Sequence, residues 1–316
     1  MTDFTEHLNY NYSMDFGKLF RNVSPEMGSN LTIKIGNPPK LKVRNCFCMW
    51  SDLLGFGSLF EQNNWTLDDI QCREIYDRLE AAHSAALYYS SIYERNLILN
   101  DGIAKVYHPL PKELSNNNIL NISMFFRSCV ELHMSISKTE HKNGYPGCRS
   151  VIAFGDNIEY LADEIRLDDY VINYTKPKGS SISDLARNTG NPIIIYNPKE
   201  LQMNTAFSKA YILEAGGTKA GIPGNNMYID KSVLDGITYY AKDKGYNPIW
   251  TEDEEGLKYF VPYKENELSE VILGFCFDKN IIVPTCKKYN TEVYKLLRYY
   301  PWDEKTEDFF FDVNNP

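Results

Sequence analysis

Apolar and polar positions along the chain follow two rhythms, one with a period near two and one near 3.6, which separate strands from helices. The run KVRNCFCMWSDLL (42–54) begins as an alternation and becomes continuously apolar before Asp52, the pattern of a strand whose far end is buried on both faces. Residues 66–94 place Ile70, Ile75, Leu79, Ala82 and Ala86 at roughly helical spacing, with Thr66 and Asp69 as a capping signal, and predict a long helix. RNLILNDGIAKVYH reads as two short strands turning at Asp101-Gly102. NNILNISMFFRSCVELHMSISKTE is a second helix, and GCRSVIAFGDNIEYL a strand pair turning at Gly155-Asp156. LQMNTAFSKAYILEAGG is a helix closed by glycines, NNMYIDKSVLDGITYYAKDKG a strand then a helix, and ELSEVILGFCFDKNIIVP a late strand pair. Residues 162–190 are charged and Ser/Gly-rich and read as an insertion, TEDEEG (251–256) as a solvated loop, and YYPWDEKTEDFFFDVNNP as an acidic, aromatic tail. No internal repeat is present.

Hairpins joined by helices predict an α+β fold, a mostly antiparallel sheet flanked by helices. The expected divisions are an N-terminal arm over 1–44, a catalytic domain over 45–240, and an extension of it over 241–316. At 316 residues with 43% hydrophobic content, a full core is available. The formal charge of -9 argues against a duplex-binding surface, and so against a nucleic-acid polymer as partner. Seven cysteines without a CxxC pair or zinc spacing read as reduced thiols. The start of the chain lacks a signal-peptide pattern, and no apolar run reaches the roughly 20 residues of a membrane span, so a cytoplasmic protein is expected.

The carboxylates change the picture. Asp52 ends the first strand and Asp101 lies at the tip of the later hairpin, with room between them for a helix and a return strand beside the first. Such a topology puts both at one sheet edge. Two close carboxylates repel unless a cation lies between them or one is protonated. A hard divalent cation fits oxygen ligands and also binds triphosphate oxygens. The plainer readings stand beside this: an aspartate after a strand is ordinarily a turn or cap residue, and Asp101-Gly102 alone makes a hairpin turn.

Four segments in order resemble class III nucleotidyl cyclases. MWSDLLGFG is similar to their F-x-D-[IL]-x-G-F motif and LILNDGIA to their second metal segment. RSVIAFG resembles the R-G-A-I-x-x-G strand of divergent bacterial members, with Ser150 for Gly. NTAFSKAYILE resembles their G-P-A-L-x-x-A-Y-x-L-E helix. The resemblance covers about residues 45–235 and implies a class III cyclase-like fold with a ferredoxin-like core and insertions. It implies that Asp52 and Asp101 bind two Mg²⁺ or Mn²⁺ ions. It also implies that the backbone of Leu53, Leu54, Gly55, Phe56 and Gly57 cradles a nucleoside triphosphate, and that the active sites form in a homodimer.

Two departures sharpen the expectation. The late-helix arginine of many members is absent; Ser208 and Ile212 stand at the corresponding N-x-x-x-R places, leaving Arg149, Lys209 and Lys105 as substitutes for its charge. The purine-reading places hold Leu97 and, near the late helix, Leu201, while Tyr211 is within reach of a base. A site built to hydrogen-bond a purine edge does not place leucine at both. That pattern resembles the Pycsar anti-phage cyclases, which make cyclic UMP or cyclic CMP for a separate effector protein. A purine cyclase and a catalytically silent nucleotide sensor remain the alternatives.

Overall fold

A computed structural model describes residues 40–111, 118–161, 200–264, 273–286, 289–301 and 310–314. These lie almost entirely in one compact unit, Val43–Glu159 with Pro198–Pro316; of the second unit, Met1–Lys42 with Tyr160–Asn197, only the residues at its two junctions are among them. The arm over 1–44 (but for its last residues), the insertion at 162–190 and the middle of the tail therefore lie outside the described residues.

The strands are β1 (Lys40–Leu53), β2 (Glu94–Leu99), β3 (Gly102–Tyr107), β4 (Cys148–Leu161), β5 (Met227–Asp230), β6 (Asn247–Glu252), β7 (Lys258–Tyr263), β8 (Leu273–Ile282), β9 (Val293–Pro301) and β10 (Phe311–Asp312). The helices are α1 (Phe56–Gln62), α2 (Asp69–Tyr88), α3 (Asn118–Lys142), α4 (Thr205–Gly216) and α5 (Lys231–Lys242). The strands form one sheet in the order β2-β3-β1-β4-β5-β9-β8-β7-β6, with β10 beside β9. The β4–β5 pair is parallel, and β1–β3, β2–β3, β5–β9, β6–β7, β7–β8 and β8–β9 are antiparallel. The fold is thus α+β with a mostly antiparallel sheet.

Strand alternation divides the core. Phe47, Met49 and Leu53 of β1 face a cluster built with α2, α3 and α5, while Cys46, Cys48 and Trp50 face a second cluster closed by Ala206, Ala210 and Leu213 of α4. The continuous apolar run of β1 is required because both its faces are covered.

Several expectations are corrected. Residues 148–161 form one strand and do not turn at Gly155-Asp156. A Cβ on Gly155 would lie 2.3 Å from the Thr205 hydroxyl and 2.9 Å from the Ala206 amide, so this glycine admits the start of α4 against β4. The hairpin turns on Asn100 and Asp101, with Asn100 at φ 60, while Gly102 already belongs to β3. The long helix is capped by Asp68 in a capping box with Gln71 rather than by Thr66, and Ile70 of its supposed apolar stripe is exposed. The late strand pair is a single strand, β8, whose register shifts at Cys276/Phe277 and Phe277/Ile281. Its polar, bulged end broke the alternation and read as a turn.

Candidate functional site

β1 carries Asp52 to the lip of the sheet two residues beyond Trp50 on the same face. Asp52 pairs with Gly102, and the Leu53 amide donates to the Asp101 carbonyl at 3.3 Å, so Asp101, in the turn before β3, lies beside Asp52. Burial pushes the Asp52 carboxyl up to about 7, the Glu214 and Asp101 carboxylates add to the rise, and Arg149 and Arg78 oppose it. Asp52 is therefore a carboxyl in electrostatic conflict with its surroundings, which a bound cation relieves.

The backbone behind Asp52 is held in place. Gly55 adopts φ 70, a left-handed conformation that turns the chain from β1 into α1. The Leu54 amide donates to the Gly147 carbonyl at 2.9 Å. The Leu54 carbonyl accepts from Arg78 Nη2 at 2.8 Å. Arg78 is itself locked by the Glu140 carboxylate, to which both its Nε and Nη2 donate. The amides of Leu53 and Leu54 are thus committed to carbonyls. Those of Gly55, Phe56 and Gly57 open the first turn of α1, where no intrahelical acceptor precedes them. A Cβ on Gly57 would meet nothing within 4 Å.

Of the cations expected near the substrate, Arg149 is the one placed beside Asp52. It shares a face of β4 with Val151 and Ala153, in the layer of the second cluster. Its Nε and Nη2 both donate to Glu214 Oε1, at 3.0 and 2.6 Å, which leaves Nη1 without a hydrogen bond among the described residues. Lys105 is not available: it is fully buried and donates to Glu94 Oε1 at 2.7 Å and the Tyr89 carbonyl at 2.6 Å. Lys209 donates to the Phe154 carbonyl at 2.8 Å and lies over the Tyr289 ring. Leu97 is buried in the second cluster with Trp50 and Ala104, and Leu201 packs against it.

On α4, Tyr211 is 48% and Glu214 4% exposed, so the tyrosine faces outward and the carboxylate inward. Glu214 continues the buried stripe of Ala206, Ala210 and Leu213, a spacing that could have shown it. Arg78 was also missed, although it lies one helical turn before the buried Ala82. On the opposite face of the sheet, Ser150 donates to Ser51 at 2.9 Å and contacts Nδ1 of buried His133 at 2.9 Å. Ser150 thus ties β4 to β1 next to Asp52.

Among the described residues, no three His, Cys, Asp or Glu side chains converge as a metal centre. Two carboxylates suit Mg²⁺ or Mn²⁺ when substrate oxygens complete the shell. Among the same residues, no helix is long and apolar enough to cross a membrane.

No protein-family model and no curated protein matches the sequence. Among solved structures, the chain is similar to the adenylyl cyclase CyaB from P. aeruginosa, at 10% identity and a TM-score of 0.37 over 85% of this chain and 99% of that one. It is likewise similar to the guanylyl cyclase Cya2, at 11% identity and a TM-score of 0.39 over 85% and 98%. Likeness at that level assigns neither substrate nor site residues.

Proposed function

We propose that this chain is a nucleotidyl cyclase, converting a nucleoside triphosphate to a 3′,5′-cyclic nucleotide and pyrophosphate. The observation that carries the reading is the placement of Asp101 beside Asp52, whose ladder partner is Gly102, with the Asp52 carboxyl raised by burial and by neighbouring carboxylates. Asp52 and Asp101 would hold Mg²⁺ or Mn²⁺. What such ions supply in this chemistry is neutralisation of the triphosphate and a more acidic 3′-hydroxyl.

The chain's own residues do the positioning. β1 fixes Asp52, and the Arg78–Glu140 pair fixes the Leu54 carbonyl, so the amides of Gly55, Phe56 and Gly57 keep one direction toward phosphate. Arg149 is held by Glu214 and offers Nη1 to the phosphoryl oxygens, the charge that the absent late-helix arginine would have carried.

UTP or CTP is the proposed substrate, because the places of the purine readers hold Leu97 and Leu201, both against an apolar cluster. The product would act as an anti-phage signal read by a separate effector, and the enzyme would work as a cytoplasmic homodimer. The exposed Leu87, Tyr88, Ile92 and Tyr93 at the end of α2 and after it give that dimer an apolar surface.

A second reading, a silent nucleotide sensor, is favoured by one observation: both arginines acting on Asp52 already have carboxylate partners. Purified protein with Mn²⁺ and each of the four triphosphates, analysed by mass spectrometry, separates the readings. Cyclic UMP or cyclic CMP supports the proposal, product from ATP or GTP alone selects a purine cyclase, and binding without product selects the sensor.

A further inference from the structure

Trp50 is the aromatic residue nearest the aspartates on their face of β1, and it has an unanswered hydrogen bond. Its Nε1 is buried and has no partner among the described residues. Leaving a buried N–H unsatisfied costs stability, and native proteins seldom tolerate it without a reason.

The ring is placed as deliberately as the donor. Trp50 pairs across the ladder with Ala104, yet its six-membered ring lies over Gly102, two residues closer to Asp101. A Cβ at Gly102 would come within 2.2 Å of Cη2 and 2.3 Å of Cζ2, the latter two bonds from Nε1. Only glycine admits the indole there. The indole therefore extends along the sheet toward Asp52, which follows Trp50 on the same face about 7 Å on by the rise of two strand residues. That span suits the distance from a nucleoside base to its 5′-phosphates.

The walls around Trp50 are apolar or aromatic. Leu97 and Ala104 share its cluster, and Phe207 and Tyr211 meet its ring edge-on, each with centroids 5.6 Å away. Tyr211 is half exposed, and its hydroxyl makes no hydrogen bond among the described residues, so its ring is the movable wall. A planar base replacing it would lie against the indole and Phe207, beside the one donor that lacks a partner.

Resting on the cyclase reading, we infer that Trp50 is a specificity-determining residue whose indole N–H donates to a ring carbonyl of a pyrimidine base. The space left by a displaced Tyr211, with one donor among apolar walls, favours the base with the most acceptors and fewest donors. Uracil has two carbonyls and one N–H. Cytosine, adenine and guanine each carry an amino group that such a space leaves unpaired.

The test follows the indole N–H itself. In the ¹⁵N spectrum of the full chain with Mg²⁺, adding 3′-deoxy-UTP, which cannot cyclise, should move the Trp50 N–H resonance downfield. Trp50→Phe should raise KM for the pyrimidine triphosphate about tenfold with kcat little changed. If the smaller ring unsettles the fold, benzothienylalanine at position 50 keeps the shape without the N–H and should give the same rise. An unmoved resonance on saturation with 3′-deoxy-UTP, or an unchanged KM in the benzothienyl protein, overturns the inference and leaves the cyclase reading intact. No triphosphate binding by the unaltered protein overturns both.

Discussion

At the scale of the residue, Asp52 connects stability to the proposed activity. Its carboxyl titrates near 7 in the fold against a usual value of 3.8, so between those values the folded state holds a proton that the unfolded chain has released. Stability contributed by this group is highest at low pH and declines as pH rises from about 4 to 7. Above that, the ionised group costs about 4 kcal/mol at 1.36 kcal/mol per pH unit. Asp52→Asn should therefore raise the melting temperature by several degrees at pH 8 and leave it nearly unchanged at pH 4, while abolishing any product. A variant no more stable than the unaltered protein at pH 8 would contradict the assigned conflict. Arg149 poses a complementary test. Lysine cannot bridge to Glu214 and present a further planar nitrogen, so Arg149→Lys should lower kcat at least tenfold in steady-state assays. The aspartates were legible because a carboxylate ending an apolar strand is conspicuous. The Arg149–Glu214 pair was not, because it joins a strand to a helix far along the chain, and a glutamate carries no mark of burial.

At the scale of the element, the site depends on two close approaches. Arg78 of α2 and Glu140 of α3 form a buried pair that grips the turn after β1. Removing one partner strands the other charge, so Arg78→Ala should cost about 3–5 kcal/mol in denaturant unfolding. It should weaken triphosphate binding as well, because the Leu54 carbonyl loses its donor. Gly155→Ala sets a methyl against Thr205 and the first turn of α4, which must move away from β4. A melting temperature lowered by several degrees is expected, and an unchanged one would mean that α4 is not seated as described. Most elements were readable from periodicity: β1, the β2–β3 hairpin, α3, α4 and α5 all lie where apolar spacing puts them. The errors share a cause. Gly155 reads as a turn because sequence does not distinguish a glycine that bends the chain from one that admits a neighbour. β6, β7 and β9 are not legible because the exposed β6 and the aromatic-rich β7 and β9 lack a clean alternation.

At the scale of the molecule, one sheet brings β1, β3 and β4 side by side, and their ends supply Asp52, Asp101 and Arg149 to one region. The residues that look most chemical in isolation need not be the ones that act: Lys105 is a buried structural cation, while an apolar face holds a buried tryptophan N–H without a partner among the described residues. Dimerisation through the exposed end of α2 predicts a two-chain species in sedimentation, and Tyr88→Glu should shift it to single chains.

The central claim, that Asp52 and Asp101 together support cyclisation of a triphosphate, is tested most directly by pyrophosphate release in Mn²⁺. The unaltered protein should release pyrophosphate and form a cyclic nucleotide from UTP or CTP, and folded Asp52→Asn and Asp101→Asn proteins should form none. Undiminished product from either variant, or no product from the unaltered protein with any of the four triphosphates, would contradict it.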